Sequence, residues 1–216
     1  MVQNKLPAAA RPRGRPRTFD ESQVLEAARD TFWKNGYAAT SLDELSAATG
    51  LNRPSLYAAF GDKHSLYLRT LADNRECSVD GIRQHLAGDM PLREALFNFL
   101  MDAADSTLAG EAGARGCFVV CTAVTEALRD GDTRAIAAGY VEDVDRVFQE
   151  RFERSAAELN TGVDPASASK VAAAMLQTLA IRARTGSNRE QLSDIARAAV
   201  TVICRTKPAS QPGTAS

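Results

Sequence analysis

The chain has 216 residues, with 26 basic and 27 acidic side chains and a net charge of −1. Hydrophobic residues at 44% and charged residues at 25% exclude a wholly disordered chain and a coiled-coil fibre. Two uncharged apolar runs, residues 116–125 and 171–181, fall short of the roughly 18 residues of a membrane helix, and the first residues carry no sustained apolar stretch of the signal-peptide kind. A cytoplasmic protein with no membrane contact is therefore expected.

The distribution of charge says more than its total. Residues 1–17 carry Lys5, Arg11, Arg13, Arg15 and Arg17 with no acid, a surplus of +5. Residues 18–68 hold four basic and seven acidic groups, and residues 69–216 hold 17 and 20, so each of these parts stands at −3. A basic arm on an acidic body is suited to reaching a polyanion, although a solvated tail has the same composition. The four cysteines Cys77, Cys117, Cys121 and Cys204 are scattered, which favours free, buried thiols over a disulfide framework.

In chain order, nearly every segment has helical periodicity, and no run of alternating β-branched residues suggests a sheet. A first helix starts at Asp20 or Ser22, buries Val24, Leu25, Ala28 and Phe32, and stops at Gly36. The second opens on the capping box Ser41-Leu-Asp-Glu44 and is over by Gly50. Asn52 caps a third, with Pro54 in its first turn and Leu56 and Phe60 inward. Asp62 then caps a long helix to about Leu86. Three short helices with a tight Gly-containing turn between the second and third form the layout of a helix-turn-helix. Seven of the 13 aromatics lie between Phe19 and Tyr67, enough large anchors for so small a core.

Further helices are predicted over about 91–109, 117–128, 132–159, 164–184 and 188–205, giving an all-α fold of about nine helices. The expected organisation is a basic arm (1–19), a helix-turn-helix unit (20–66), a larger helical body (67–206) and a disordered tail (207–216). The last two helices carry more apolar surface than one contact can cover, which suggests a homodimer interface through Val171, Met175, Thr178, Leu179, Leu192, Ile195, Ala199 and Val202.

The third helix would enter the major groove with its N-terminus first. Arg53 suits a bidentate contact to guanine and Ser55 a base edge, on a turn formed by Asn52 and Pro54. Thr40, Ser41, Tyr57 and Lys63 are placed for phosphates, with Tyr57 also readable as a packed aromatic. The stretch from Thr40 to Lys63, with Leu45, Ala48, Gly50, Leu56, Tyr57, Phe60 and Leu66, resembles the DNA-binding signature of the TetR/AcrR regulator family, and the upstream Phe32, Gly36 and Tyr37 fit it too. The resemblance implies an all-helical homodimer that binds a palindromic double-stranded DNA operator, represses, and is released by a small effector held in the larger domain. It also implies dimerisation through the last two long helices.

Pro12-Arg-Gly-Arg-Pro-Arg17 separately resembles an AT-hook core, in which Arg13, Arg15 and Arg17 follow the narrow minor groove; non-specific phosphate attraction is the competing account. Candidate lining residues for an effector are Phe97, Met101, Phe118, Cys121, Tyr140 and Phe148, drawn from a wider aromatic set (Tyr67, Phe99, Phe152) whose spacing mostly signals core. Cys117 and Cys121 lie one turn apart, and some family members carry a sensing thiol at a junction like Gly116-Cys117. A thiol redox or electrophile sensor therefore stays open, as does an architectural A·T-rich DNA binder without effector. No Cys/His set has convincing metal-ligand spacing, no cofactor is implied, and His64 and His85 are isolated, His64 being expected at the surface or near DNA. Without a catalytic motif an enzyme is not expected.

Overall fold

The computed structural model describes residues 19–109 and 115–206. Among these, nine α-helices and no strand form the fold. The arm with Arg13, Arg15 and Arg17, and the tail from residue 207, lie outside the described residues.

Helix α1 (Glu21–Asn35) is capped by Asp20 and stops at Gly36 (φ 79°), a backbone conformation that suits glycine. Helix α2 (Leu42–Thr49) starts on the Ser41–Glu44 capping box, and Gly50 in the left-handed region turns the chain into α3 (Arg53–Phe60). Phe32, Leu45, Leu56 and Phe60 fill the small core between them. Helix α4 (Lys63–Leu86) follows Asp62 directly, so one continuous helix carries Leu66 and Tyr67 beneath α1–α3 and continues into the body.

The body consists of α5 (Leu92–Leu108), α6 (Val124–Glu126), α7 (Gly131–Arg154), α8 (Pro165–Arg184) and α9 (Arg189–Ile203). Helix α7 packs on α4 and α8, and α5 packs on α8 and α9. The continuous α-helix expected over 117–128 is instead a π-helical turn, Val119–Ala123, followed by the short α6. The Thr122 hydroxyl donates to the Phe118 carbonyl at 2.7 Å, a side-chain bond that competes with the regular backbone ladder.

Helix α7 also stops five residues earlier than the periodicity suggests. The buried Arg151 donates to Ser155 Oγ at 2.7 Å and to the Met90 carbonyl, fixing Ser155 outside helical geometry. The segment beyond it pairs with the end of α9: Asn160 N–H donates to the Ile203 carbonyl and Leu159 bridges Cys204. That pairing ends α9 at Ile203, short of the expected Arg205.

Candidate nucleic-acid interface and effector cavity

Helix α3 is held at its first turn by Asn52, whose Oδ1 accepts from Ser55 N–H at 2.9 Å, with Pro54 where a missing N–H removes no helical bond. Leu56 and Phe60 anchor its inner face, leaving Arg53, Pro54, Tyr57 and Ala58 exposed and Ser55 half-buried. The Arg53 fork is engaged by Asp43 of α2, with Nε at 2.9 Å and Nη2 at 2.6 Å from the two carboxylate oxygens. Both groups stay largely exposed, so the pair is weak and the fork is exchangeable for a guanine edge. No sequence spacing pointed to that partner.

Three phosphate candidates are already engaged within the protein. Thr40 is buried and its hydroxyl donates to the Gly36 carbonyl at 2.6 Å, so the expectation of an outward hydroxyl is corrected. Ser41 Oγ donates to Glu44 Oε2 at 2.8 Å and accepts from Glu44 N–H, completing the cap. Lys63 Nζ lies 4.6 Å from the Tyr37 ring centroid and 3.5 Å from the Ala38 carbonyl. Lys63 and the 48% exposed Tyr57 border one small crevice, so the structure brings these two together.

His64 is not a free surface group. Its Nε2 is 2.7 Å from Asp130 Oδ2, joining the first turn of α4 to the N-cap of α7. Hydrogen bonds from Thr133 and His64 hold the Asp130 carboxyl down at about 2. Nearby, Tyr67 OH donates to Thr122 Oγ1 at 3.2 Å inside a ring cluster of Phe32, Tyr37, Tyr67 and Phe118. Burial pushes the Tyr67 phenol up to about 12.

A solvent-open cavity of about 260 Å³ lies between α1, α4, α5, α7 and α8. Its floor is Trp33, Ile82, Phe99, Phe118, Tyr140 and Leu176, with Cys117 beside Tyr140, while Asn74, Ser78, His85, Asp102 and Ser106 stand around it. Of the expected lining residues Phe118 and Tyr140 reach it. Phe97 is half-buried against the core, and Met101 and Phe148 are buried within it. Cys121 is turned instead towards Gly116, where an added Cβ would lie 2.7 Å from its sulfur. Phe99 lines the cavity although its spacing read as core, and Trp33 and Leu176 come from elements too distant in sequence for periodicity to associate. Cys117 donates weakly to Tyr140 OH at 3.7 Å, and burial pushes its thiol up, which keeps it in the less reactive protonated form. Among the described residues no group of three or more His, Cys, Asp or Glu could hold a metal, and no helix is long and apolar enough to cross a membrane.

On α8 and α9, Val171, Ile181 and Val202 are exposed, and Met175, Thr178 and Ile195 are half-buried. Leu179, Leu192 and Ala199 are buried inside the protomer, where α5, α8 and α9 meet. Their assignment to a partner surface is corrected, because they have no surface to offer.

A helix-turn-helix seated on a continuous helix that runs into an α-helical body with a cavity defines a DNA-binding regulator, not an enzyme. The comparisons agree: the profile of "Bacterial regulatory proteins, tetR family" matches residues 24–70. The chain is 27% identical to the HTH-type transcriptional repressor ComR of Escherichia coli (strain K12) over 91% of this chain and 94% of that one. It is 36% identical to the repressor BdcR of the same strain, over 50% of this chain and 54% of that one. A cysteine-substituted TetR family transcriptional regulator CifR, solved with 26-bp double-strand operator DNA, superposes with a TM-score of 0.76 at 30% identity over 87% of this chain and 98% of that one. The chain belongs to the TetR family of transcriptional regulators.

Proposed function

We propose that the protein is a ligand-responsive repressor that binds a palindromic operator as a homodimer. Residues 20–66 form its DNA-reading unit, and residues 67–206 form the effector-binding and dimerisation body. The observation that carries this is the exposed N-terminal face of α3, with Arg53 and Tyr57 outward, followed directly by α4, which continues to the wall of a cavity. Arg53 and Ser55 would read bases, with Asn52 and Pro54 shaping the turn between them, and Tyr57 and Lys63 would hold phosphates. Lys63 must first leave the Tyr37 ring, a weak contact at an accessible site. The arm residues Arg13, Arg15 and Arg17 would extend the contact into the adjacent minor groove.

Val171, Met175, Thr178, Ile195 and Val202 are the apolar surface available for a second copy, setting the two α3 helices in successive major grooves about 34–36 Å apart. Repression is supported by the names of ComR and BdcR, and operator binding by that of CifR. The effector would occupy the cavity lined by Phe118 and Tyr140 and bind the non-DNA conformation more tightly. The raised Cys117 thiol favours a reversible ligand over thiol oxidation as the signal. Genome-wide capture of bound DNA followed by footprinting tests the proposal. Two protected half-sites one helical turn apart are expected, and protection of scattered A·T-rich stretches without symmetry would replace the operator reading with an architectural one.

A further inference from the structure

One wall of the cavity comes from a residue of the DNA-reading unit itself. Trp33, on the last turns of α1, lines it and packs on Phe118 with ring centroids 5.6 Å apart. Its indole N–H donates to the Arg115 carbonyl at 2.9 Å, and that same carbonyl accepts from Arg184 of α8 at 3.0 Å. Arg115 in turn pairs with Asp30 of α1 at 3.2 Å. The adjoining Gly116 has φ +70°, and a Cβ there would meet Cys121 Sγ and the Ala180 carbonyl at 2.7 and 2.8 Å, so this junction has no slack. Trp33 also borders an open cleft between α1, α2, Arg115 and Arg184, so the ring has room to move.

The chemistry of the walls limits the occupant. At about 260 Å³ the space lies below the roughly 300–1,000 Å³ of drug-sized pockets but above the ~150 Å³ that admits benzene. The buried floor of Phe99, Phe118 and Tyr140 offers no counter-charge, whereas His85 and Asp102, 3.4 Å apart, are exposed and half satisfied by each other. A charge on the ring itself would face this apolar floor, and at the rim His85 and Asp102 are already paired with each other.

We propose that Trp33 transmits occupancy of this cavity to the DNA-reading unit, and that the occupant is a compact, uncharged molecule with a single-ring-sized apolar body. The proposal rests on the effector reading given above. Through the indole N–H and the Arg115 carbonyl, a molecule against Phe118 shifts α1 directly, in addition to any movement of α4.

Trp33 is the chain's single tryptophan, so its emission reports the contact without a label. The test uses full-length protein, DNA selected by it from a random pool, and three single-ring probes: phenol, benzoate and benzylamine. Calorimetry should show phenol binding at least about tenfold more tightly than either ion. Phenol should also change the Trp33 emission and lower operator affinity by about fivefold or more. Trp33→Phe, which keeps an aromatic wall, should lose the operator response even at phenol concentrations that calorimetry shows to saturate it. A full operator response in Trp33→Phe, or phenol binding with unaltered emission, overturns the role of Trp33. Equal or tighter binding of an ion, or no binding of any probe, overturns the ligand class.

The effector reading is tested apart from any ligand by Ala103→Leu, which fills the cavity from α5, with Gly81→Leu as a second filling variant if the first melts early. A folded filling variant with unchanged operator affinity overturns the effector reading itself. A lowered affinity that Trp33→Phe restores supports both.

Discussion

Gly139 sits in the interior of α7, where glycine costs about 1 kcal/mol relative to alanine, and its neighbour accounts for it. The Arg75 guanidinium of α4 lies against the glycine, so that an alanine Cβ would stand 2.6 Å from its central carbon. From that seat Arg75 grips Asp143 with Nε at 2.8 Å and Nη2 at 2.6 Å, at side-chain exposures of 31% and 19%. Charge-assisted hydrogen bonds contribute about 1.5–3 kcal/mol when partly shielded from water, so losing the fork outweighs the propensity gain of about 1 kcal/mol. Gly139→Ala should therefore destabilise by at most about 2 kcal/mol, the limit reached if the displaced guanidinium loses Asp143 altogether. In an Arg75→Ala background nothing occupies the space, and the same substitution should stabilise by about 1 kcal/mol. For a chain of this size each kcal/mol moves Tm by about 2–4 °C, so melts followed by far-UV circular dichroism should show opposite signs in the two backgrounds. A stabilising Gly139→Ala in the otherwise unaltered protein would refute the reasoning, since it would mean that the fork does not need the glycine.

Arg53→Ala should weaken binding to the selected operator by on the order of tenfold to a hundredfold and relax base preference at one position, whereas Asp43→Asn should strengthen binding a few-fold by releasing the fork; mobility shifts on randomised half-sites check both. Deleting residues 1–17 should leave the melting curve unchanged and reduce the slope of log affinity against log salt, by at most about 4.5 per arm if all five charges meet phosphates. Asp130 titrates at about 2 in the folded protein against an ordinary 3.8, so its contribution is fully present above the ordinary value and is lost as pH falls from about 4 towards 2. Asp130→Asn should accordingly flatten the fall in Tm across that acidic window, and an unchanged pH profile would remove the linkage.

What the sequence made legible follows from how local each signal is. Ser41, Asn52 and Asp62 begin the helices expected of them, and of the two candidates Asp20 and Ser22 it is Asp20 that caps α1, because a cap is a bond across two or three residues. The end of α7 and the π-turn were not legible, since each depends on a bond to something remote or to a competing side chain: Arg151 reaching Met90, and Thr122 turning to Phe118. The site divides in the same way. Exposed Arg53 and Tyr57 follow from helical phase against Leu56 and Phe60, whereas Thr40 and Leu179 share the chemistry and spacing of surface candidates and are buried by neighbours that no periodicity names. Trp33 is the sharpest case: it counts among the aromatic anchors between Phe19 and Tyr67, and only the tertiary fold sets it against Phe118.

The net charge of −1, taken alone, argues against a polyanionic partner, and the structure adds a reason why a neutral total suits a regulator. The DNA-reading unit holds Arg53 and Arg29 in internal pairs, with Asp43 and with Glu26 and Asp30, and its Glu21 pairs with Arg69 of the adjoining body. The Arg53–Asp43 pair is exposed and weakly held, so DNA can compete for its cation, whereas Arg29 is half-buried; until DNA competes, the surface attracts polyanions little. Long-range attraction then falls to the arm, which carries no acid, while base selection falls to a fork that must leave Asp43. Separating the two roles makes affinity depend on salt and selectivity depend on the position of α3. A ligand that shifts α1 or α4 by a small amount can therefore alter selectivity while leaving the arm's attraction for DNA intact.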